Sequence, residues 1–179
     1  IFKVKKTNFK QLNGISDQKI ILGVASIWDA RKGLSHFFDL LPHLSDDETI
    51  VIVGKVKEKM PKNTKQLIHI ERTENQEVLA DIYNAADVFF NSSLEDTFPT
   101  TILEAQACGT PVVSFDVGGC DEALDKTISI SIDEDNNPDS IIETIRGTFA
   151  MKKLASKNIS KELSLVEFSN KYYELSSNL

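Results

Sequence analysis

Short apolar runs alternate along the chain with longer segments in which apolar residues recur every three or four positions. Residues 20–25 form the first continuous run, residues 49–53 before Gly54 the second, and residues 66–71 the third. Residues 88–90, 111–115 and 128–132 supply three more. Continuous runs of this length suit strands covered on both faces, as in a parallel sheet. Between them, Leu34, Phe37, Phe38, Leu41 and Leu44 fall on one helical stripe behind Gly33. Val78, Leu79, Ile82 and Tyr83 mark a second helix over residues 76–86. Helices are also predicted over residues 100–108 and 139–153, and a looser helical period runs through residues 156–176. Residues 55–65 are basic and loop-like. The alternation predicts an α/β fold with a doubly wound parallel sheet. Right-handed crossovers in such a sheet place the functional loops at the carboxyl ends of the strands. Three segments result: an N-terminal extension or linker (1–18), the sheet domain (19–155) and a helical tail (156–179).

Composition narrows the choice. With 179 residues, 41% hydrophobic and 26% charged, the chain has the make-up of one globular domain. Twenty basic against 27 acidic residues give a net charge of −7, which argues against a nucleic-acid or anionic-membrane surface. No run approaches the roughly 18 apolar residues of a membrane span, and the first residues lack the apolar core of a signal peptide. Cys108 and Cys120 are too few for a disulfide scaffold or a cysteine-based zinc site, which predicts a reduced, cytoplasmic setting. The chain starts at Ile1 rather than methionine, so a piece of a longer protein is expected.

Three strand-to-helix loops could carry chemistry. In the first, residues 26–33, Arg31 and Lys32 set two cations before Gly33. In the second, Pro99 is expected inside the first helical turn, leaving the amides of Thr100 and Thr101 free at a positive helix end suited to phosphate. Thr97, Thr101 and Glu104 follow at spacings of four and three, which predicts one helical face. There Glu104 could accept hydrogen bonds from a sugar diol. Taken singly, Glu104 also reads as a solvated helix residue and Asp96 as a capping acid. The third loop carries Gly118 and Gly119, which allow close backbone approach but equally suit a plain tight turn. His36, His43 and His69 have no metal-site spacing, and Trp28 is expected to pack. Asn91 and Asn158 head formal glycosylation triplets that a cytoplasmic chain would not use. Lys3, Lys5, Lys6 and Lys10 read as a solvated basic face, with membrane docking as the second reading.

At these loops the sequence resembles the C-terminal, donor-binding domain of retaining GT-B glycosyltransferases, family 4 or "glycosyl transferases group 1". Four ordered motifs carry the resemblance. They are Ala25-Ser26-Ile27 with Lys32-Gly33; Tyr83-Asn84-Ala85-Ala86-Asp87-Val88; Ser93-Leu94-Glu95-Asp96-Thr97-Phe98-Pro99 with Glu104; and Gly118-Gly119-Cys120-Asp121-Glu122. The resemblance implies a Rossmann-like half of a two-domain enzyme whose acceptor domain lies outside this chain. It implies that Lys32, assisted by Arg31, neutralises a donor diphosphate that the amides of Thr100 and Thr101 cradle. Glu104 would hold the ribose, Thr73 would lie near the base, and Asp96 with the backbone of Thr97 and Phe98 would face the donor sugar. Asp96 and Lys32 are thereby the candidate catalytic residues.

No metal and no cofactor are implied, because the nucleoside-diphosphate sugar is a substrate and cations and amides stabilise its leaving group. The implied partners are that donor, the N-terminal domain, and a sugar or lipid-linked sugar acceptor. Nucleic acid is excluded, and membrane contact is at most peripheral, at the inner face of the cell membrane. Three positions depart from the family pattern. Asp96 stands where a glutamate is usual, with Glu95 one place earlier, so either carboxylate could face the sugar. Ser26 replaces an arginine, and Pro99 replaces a glycine. A stand-alone nucleotide-binding or regulatory module without catalysis is the alternative. A nicotinamide-dependent dehydrogenase is excluded, since the strand ending at Gly54 continues Lys55-Val56-Lys57-Glu58 without the required glycines.

Overall fold

The computed structural model describes residues 1–57, 59–61 and 65–151. The helical period read over residues 156–176 lies outside these residues. Among them, six strands form one sheet in the order β3-β2-β1-β4-β5-β6, and every neighbouring pair is parallel. The strands are β1 (Lys19–Trp28), β2 (Glu48–Val56), β3 (Leu67–Ile70), β4 (Val88–Asn91), β5 (Val112–Phe115) and β6 (Ile130–Ile132). The helices are α1 (Phe9–Leu12), α2 (Leu34–Leu40), α3 (Gln76–Ala85), α4 (Thr100–Ala107), α5 (Cys120–Ala123) and α6 (Pro138–Thr148). The chain winds outward in both directions from β1, as the strand–helix alternation predicted.

Period-two alternation divides the core between the two faces of the sheet. Ile20, Leu22, Val51, Val53, Phe89 and Val112 pack on one side with Tyr83, Ile102 and Phe9 from the helices. Ile21, Ile50, Ile52, Phe90, Val113 and Phe115 pack on the other with Leu34, Phe37, Ile142 and Ile145. Burying side chains of this size contributes about 1.5–3 kcal/mol each.

Several boundaries differ from the periodicity. β1 continues through Ser26 to Trp28, where a loop was expected, because β2 also runs on and pairs Ile27 with Lys55 and Trp28 with Val56. Trp28 anchors this extension, buried with its indole N–H donating to the Val53 carbonyl at 3.0 Å. α2 stops at Leu40 and gives way to a 3-10 turn at Leu41–His43, since Pro42 has no amide to continue the helix. Leu40 is therefore the fully buried residue, with Phe38, Leu41 and Leu44 only half-buried around it. In α3, Ile82 and Tyr83 are buried while Val78 and Leu79 are only partly so. α6 ends at Thr148, short of the expected residue 153.

The amino ends of the strands are closed by two carboxylates. Asp87, just before β4, accepts from the Ile20 amide at 2.9 Å and from Lys10 Nζ at 2.7 Å. Glu48, first residue of β2, takes the Arg146 guanidinium at 2.8 Å on each oxygen and the Ser45 amide at 2.8 Å. The opposite edge, at the carboxyl ends, is left to the loops.

Candidate functional site

The loops leaving β1, β4 and β5 are joined to one another through their backbones. The Leu94 amide donates to the Arg31 carbonyl at 2.7 Å, and the Gly119 amide to the Asp96 carbonyl at 3.2 Å. Ser92 Oγ donates to the Lys32 carbonyl at 2.9 Å. Two glycines make this approach possible. Gly33 (φ 65°) and Gly118 (φ 53°) both lie in the left-handed region. A Cβ on either would fall about 2 Å from a carbonyl oxygen, that of Ser92 or of Asp96.

In the first loop, Asp29 caps a 3-10 turn at Ala30–Lys32 by accepting from the amides of Arg31 and Lys32. The turn separates the two cations. Arg31, 65% exposed, pairs back onto Asp29 at 3.0 Å. Lys32 crosses to the β4 loop, its Nζ 2.5 Å from Oδ2 of Asp96, a side chain only 14% exposed. Glu95, beside it, is exposed. The loop thus turns Asp96, not Glu95, toward the cation.

Pro99 is the residue before α4 rather than one inside its first turn, with extended backbone (φ −75°, ψ 108°). Its carbonyl accepts from the Ile102 amide at 3.1 Å, but its side chain offers no cap. The amides of Thr100 and Thr101, the first two residues of α4, therefore lie in its first turn with no intrahelical acceptor, at the positive end of the helix. Thr97 lies in the loop and is exposed, so the expected shared face reduces to Thr101 and Glu104. Phe98 is half-buried and packs on the core beneath α4.

Glu104, one turn along α4, accepts from the Tyr83 hydroxyl at 3.0 Å on Oε2. Burial pushes its carboxyl above the usual carboxylate range, only partly opposed by that hydrogen bond. Burial, together with the neighbouring Glu104 charge, lifts the Tyr83 phenol well above its ordinary value, so it stays a donor. Thr73 is half-buried in the loop leaving β3, a strand that β2 and β1 separate from β4.

Beneath the loops lies a buried polar net. Asn91 Nδ2 donates to Ser114 Oγ at 3.0 Å and to Cys120 Sγ at 3.4 Å, and Ser93 Oγ donates to Asn91 Oδ1 at 3.0 Å. Asn91 is thus committed to the interior, 6% exposed, and is no acceptor for a glycan. His36 stacks edge-on to Phe115, His43 Nδ1 meets Asp139 at 2.7 Å, and His69 Nε2 lies 2.8 Å from the Gly54 carbonyl. Among the described residues, no three His, Cys, Asp or Glu side chains gather to hold a metal. No helix there is long and apolar enough to cross a membrane. Two contributors escaped the sequence reading. Tyr83 stands in the sequence as a core position of α3 and the head of a family motif, with no partner for its hydroxyl, and Ser92 lies in the loop before α4 with no role of its own. A tyrosine in an otherwise apolar stripe was the available signal, since a buried phenol needs a partner.

The chain is similar to known proteins across most of its length. The sequence pattern of the family described as "Glycosyl transferases group 1" matches residues 18–150. A D-inositol 3-phosphate glycosyltransferase of Geodermatophilus obscurus is 41% identical over 80 residues, 45% of this chain and 18% of that enzyme. An N,N'-diacetylbacillosaminyl-diphospho-undecaprenol alpha-1,3-N-acetylgalactosaminyltransferase of Campylobacter jejuni is 28% identical over 124 residues, 67% of this chain and 32% of that enzyme. The chain spans less than half the length of these curated relatives. Among solved structures, Anabaena HepE in complex with UDP and glucose superposes with a TM-score of 0.74 at 17% identity, covering 99% of this chain and 54% of that one. The C-terminal domain of a group 1 glycosyltransferase (LpcC) from Francisella tularensis gives 0.67 at 18% identity, covering 89% and 90%. At these identities the structures establish the fold, and the sequence match establishes the family: the chain belongs to the glycosyl transferases group 1, and its sheet is a Rossmann-like domain of the GT-B kind.

Proposed function

We propose that this domain is the donor-binding half of a retaining glycosyltransferase that moves a hexosyl group from a nucleoside-diphosphate sugar to a sugar or lipid-linked sugar acceptor. The observation that carries the reading is the 2.5 Å approach of Lys32 to Asp96 across two loops, beside an uncapped helix end with Glu104 one turn behind it. Lys32 and the amides of Thr100 and Thr101 take the diphosphate, whose charge grows as the anomeric C–O bond breaks. Arg31 contributes a second cation from the rim. Glu104 accepts from the ribose hydroxyls, Thr73 borders the base, and Asp96 with the backbone of Thr97 and Phe98 lines the sugar.

The leaving group is thus held by cations and amides alone, without a metal. A second domain of the same protein supplies the acceptor site. The Campylobacter relative's name, with its diphospho-undecaprenol acceptor, favours polysaccharide or glycoconjugate assembly on a lipid-linked acceptor.

The test is thermal unfolding of the chain with millimolar UDP, GDP and ADP in turn. A ligand at 100 times its dissociation constant adds about 2.7 kcal/mol, or several degrees for a domain of this size. A rise with one base identifies the carrier. No rise with any base, here and in the full-length protein, refutes a donor site.

A further inference from the structure

A buried tyrosine must direct its hydroxyl somewhere, and the surroundings of Tyr83 leave it one direction. Its ring is wedged edge-on between Phe2, at 5.9 Å between centroids, and Phe89, at 5.7 Å. Its carbonyl accepts from Thr110 Oγ1 at 2.6 Å, which ties the end of α3 to the turn after α4. The next residue, Asn84, accepts from the Lys5 amide at 2.8 Å and donates to the Ala80 carbonyl at 2.8 Å. The phenol is thus held from both sides, and its oxygen meets Oε2 of Glu104. Glu104 has three side-chain torsions and, among the described residues, no other hydrogen-bond donor. Left alone it would sample several rotamers, and fixing one on binding would weaken affinity.

We propose that Tyr83 is a positioning residue: its hydroxyl fixes the Glu104 carboxylate in one rotamer and leaves Oε1 to receive the ribose hydroxyl of a nucleoside diphosphate. The inference rests on the ribose role of Glu104 proposed above. Tyr83 on α3 is the titratable group acting on Glu104, and Cys108 after α4 acts on Tyr83 in turn. Removing the phenolic donor strips a stabilising hydrogen bond from the ionised carboxylate, so its elevated pKa rises further.

Tyr83→Phe keeps the ring and its two aromatic contacts. The probe is whichever of UDP, GDP or ADP binds the wild-type chain, together with its 2'-deoxy form, titrated by calorimetry at pH 8 and pH 5.5. Comparing variant with wild type at each pH cancels the ligand's own titration. The expected loss is about threefold at pH 8 and larger at pH 5.5, where a carboxyl pushed further up is protonated more of the time. With the deoxy ligand the loss shrinks toward none. A purely structural tyrosine gives one uniform loss at both pH values and for both ligands, and that result overturns the proposal. Glu104→Ala runs in parallel. If it weakens binding while Tyr83→Phe shows no dependence on pH or sugar, only the positioning role falls. If Glu104→Ala leaves affinity unchanged, the ribose assignment falls with it.

Discussion

Two glutamates are drawn out of solvent in this domain, and their surroundings answer them in opposite ways. Glu48, at the amino edge of the sheet, has a side chain 4% exposed yet both of its oxygens hydrogen-bonded. Burial opposes its charge, but two hydrogen bonds from Arg146 and one from the Ser45 amide outweigh it, and the carboxyl is held below the usual range. Glu104, at the edge where the loops meet, has one hydroxyl for company, and burial holds its carboxyl above that range. A carboxylate whose partners are complete serves the fold. One whose partners are incomplete is unfavourable in the empty domain and favourable once a donor arrives. The contrast separates an edge that closes the sheet from the edge that carries the proposed donor site.

The largest blow to this contrast should come from Arg146→Ala, which leaves Glu48 buried without its cation. A loss of about 3 kcal/mol is expected, read as a fall in urea midpoint at unchanged slope, with nucleotide affinity intact. A loss below about 1 kcal/mol would mean that the Glu48 pair does not hold the edge together. On the loop side, Lys32→Ala should weaken a nucleoside diphosphate by about 2 kcal/mol and the bare nucleoside hardly at all. Equal losses for both ligands would remove Lys32 from the phosphate. Glu104→Ala should weaken the nucleotide by about 1.5 kcal/mol, measurable by the same titration.

The smallest effect is the sharpest. Glu104→Gln, which discards the charge but keeps the shape, should raise the melting temperature of the empty domain slightly at pH 7. Its advantage should vanish in acid, because a carboxyl with an elevated folded pKa contributes stability below its unfolded value and loses it as pH rises through the folded one. Glu48 has the opposite sign: its contribution is present above the ordinary glutamate value and is lost as pH falls through its lowered one. Melting curves of Glu104→Gln and Glu48→Gln from pH 3 to pH 8 should therefore leave wild type in opposite directions at the high-pH end, the first above it and the second below it, and both should rejoin it in acid. Parallel curves would erase the distinction between the two edges.

The sheet was readable because its strands are buried on both faces and so appear as unbroken apolar runs. The extension of β1 was not, because Ser26 and Ile27 are exposed and their pairing depends on where β2 ends. Local chemistry could place Thr100, Thr101 and Glu104 at a helix start. It could not foresee that Lys32 would reach Asp96, 64 positions away, or that Arg31 would turn back to Asp29. The choice between Asp96 and Glu95 was open in the sequence, and the loop geometry turns only Asp96 inward. Tyr83 and Glu104 were each visible, one as core and one as ligand, but their meeting depends on how α3 packs against α4.

The joins between the loops have one more consequence. Leu94 to Arg31 and Gly119 to Asp96 are main-chain bonds, and at Gly33 and Gly118 it is again carbonyl oxygens that exclude a side chain. The frame these three loops form is therefore indifferent to most of the side chains it displays. Leu94, Glu95 and Thr97 point outward from it and can be exchanged without loosening it. Such a frame behaves like a socket of fixed thread: three exposed letters can change while the two glycines stay where they are.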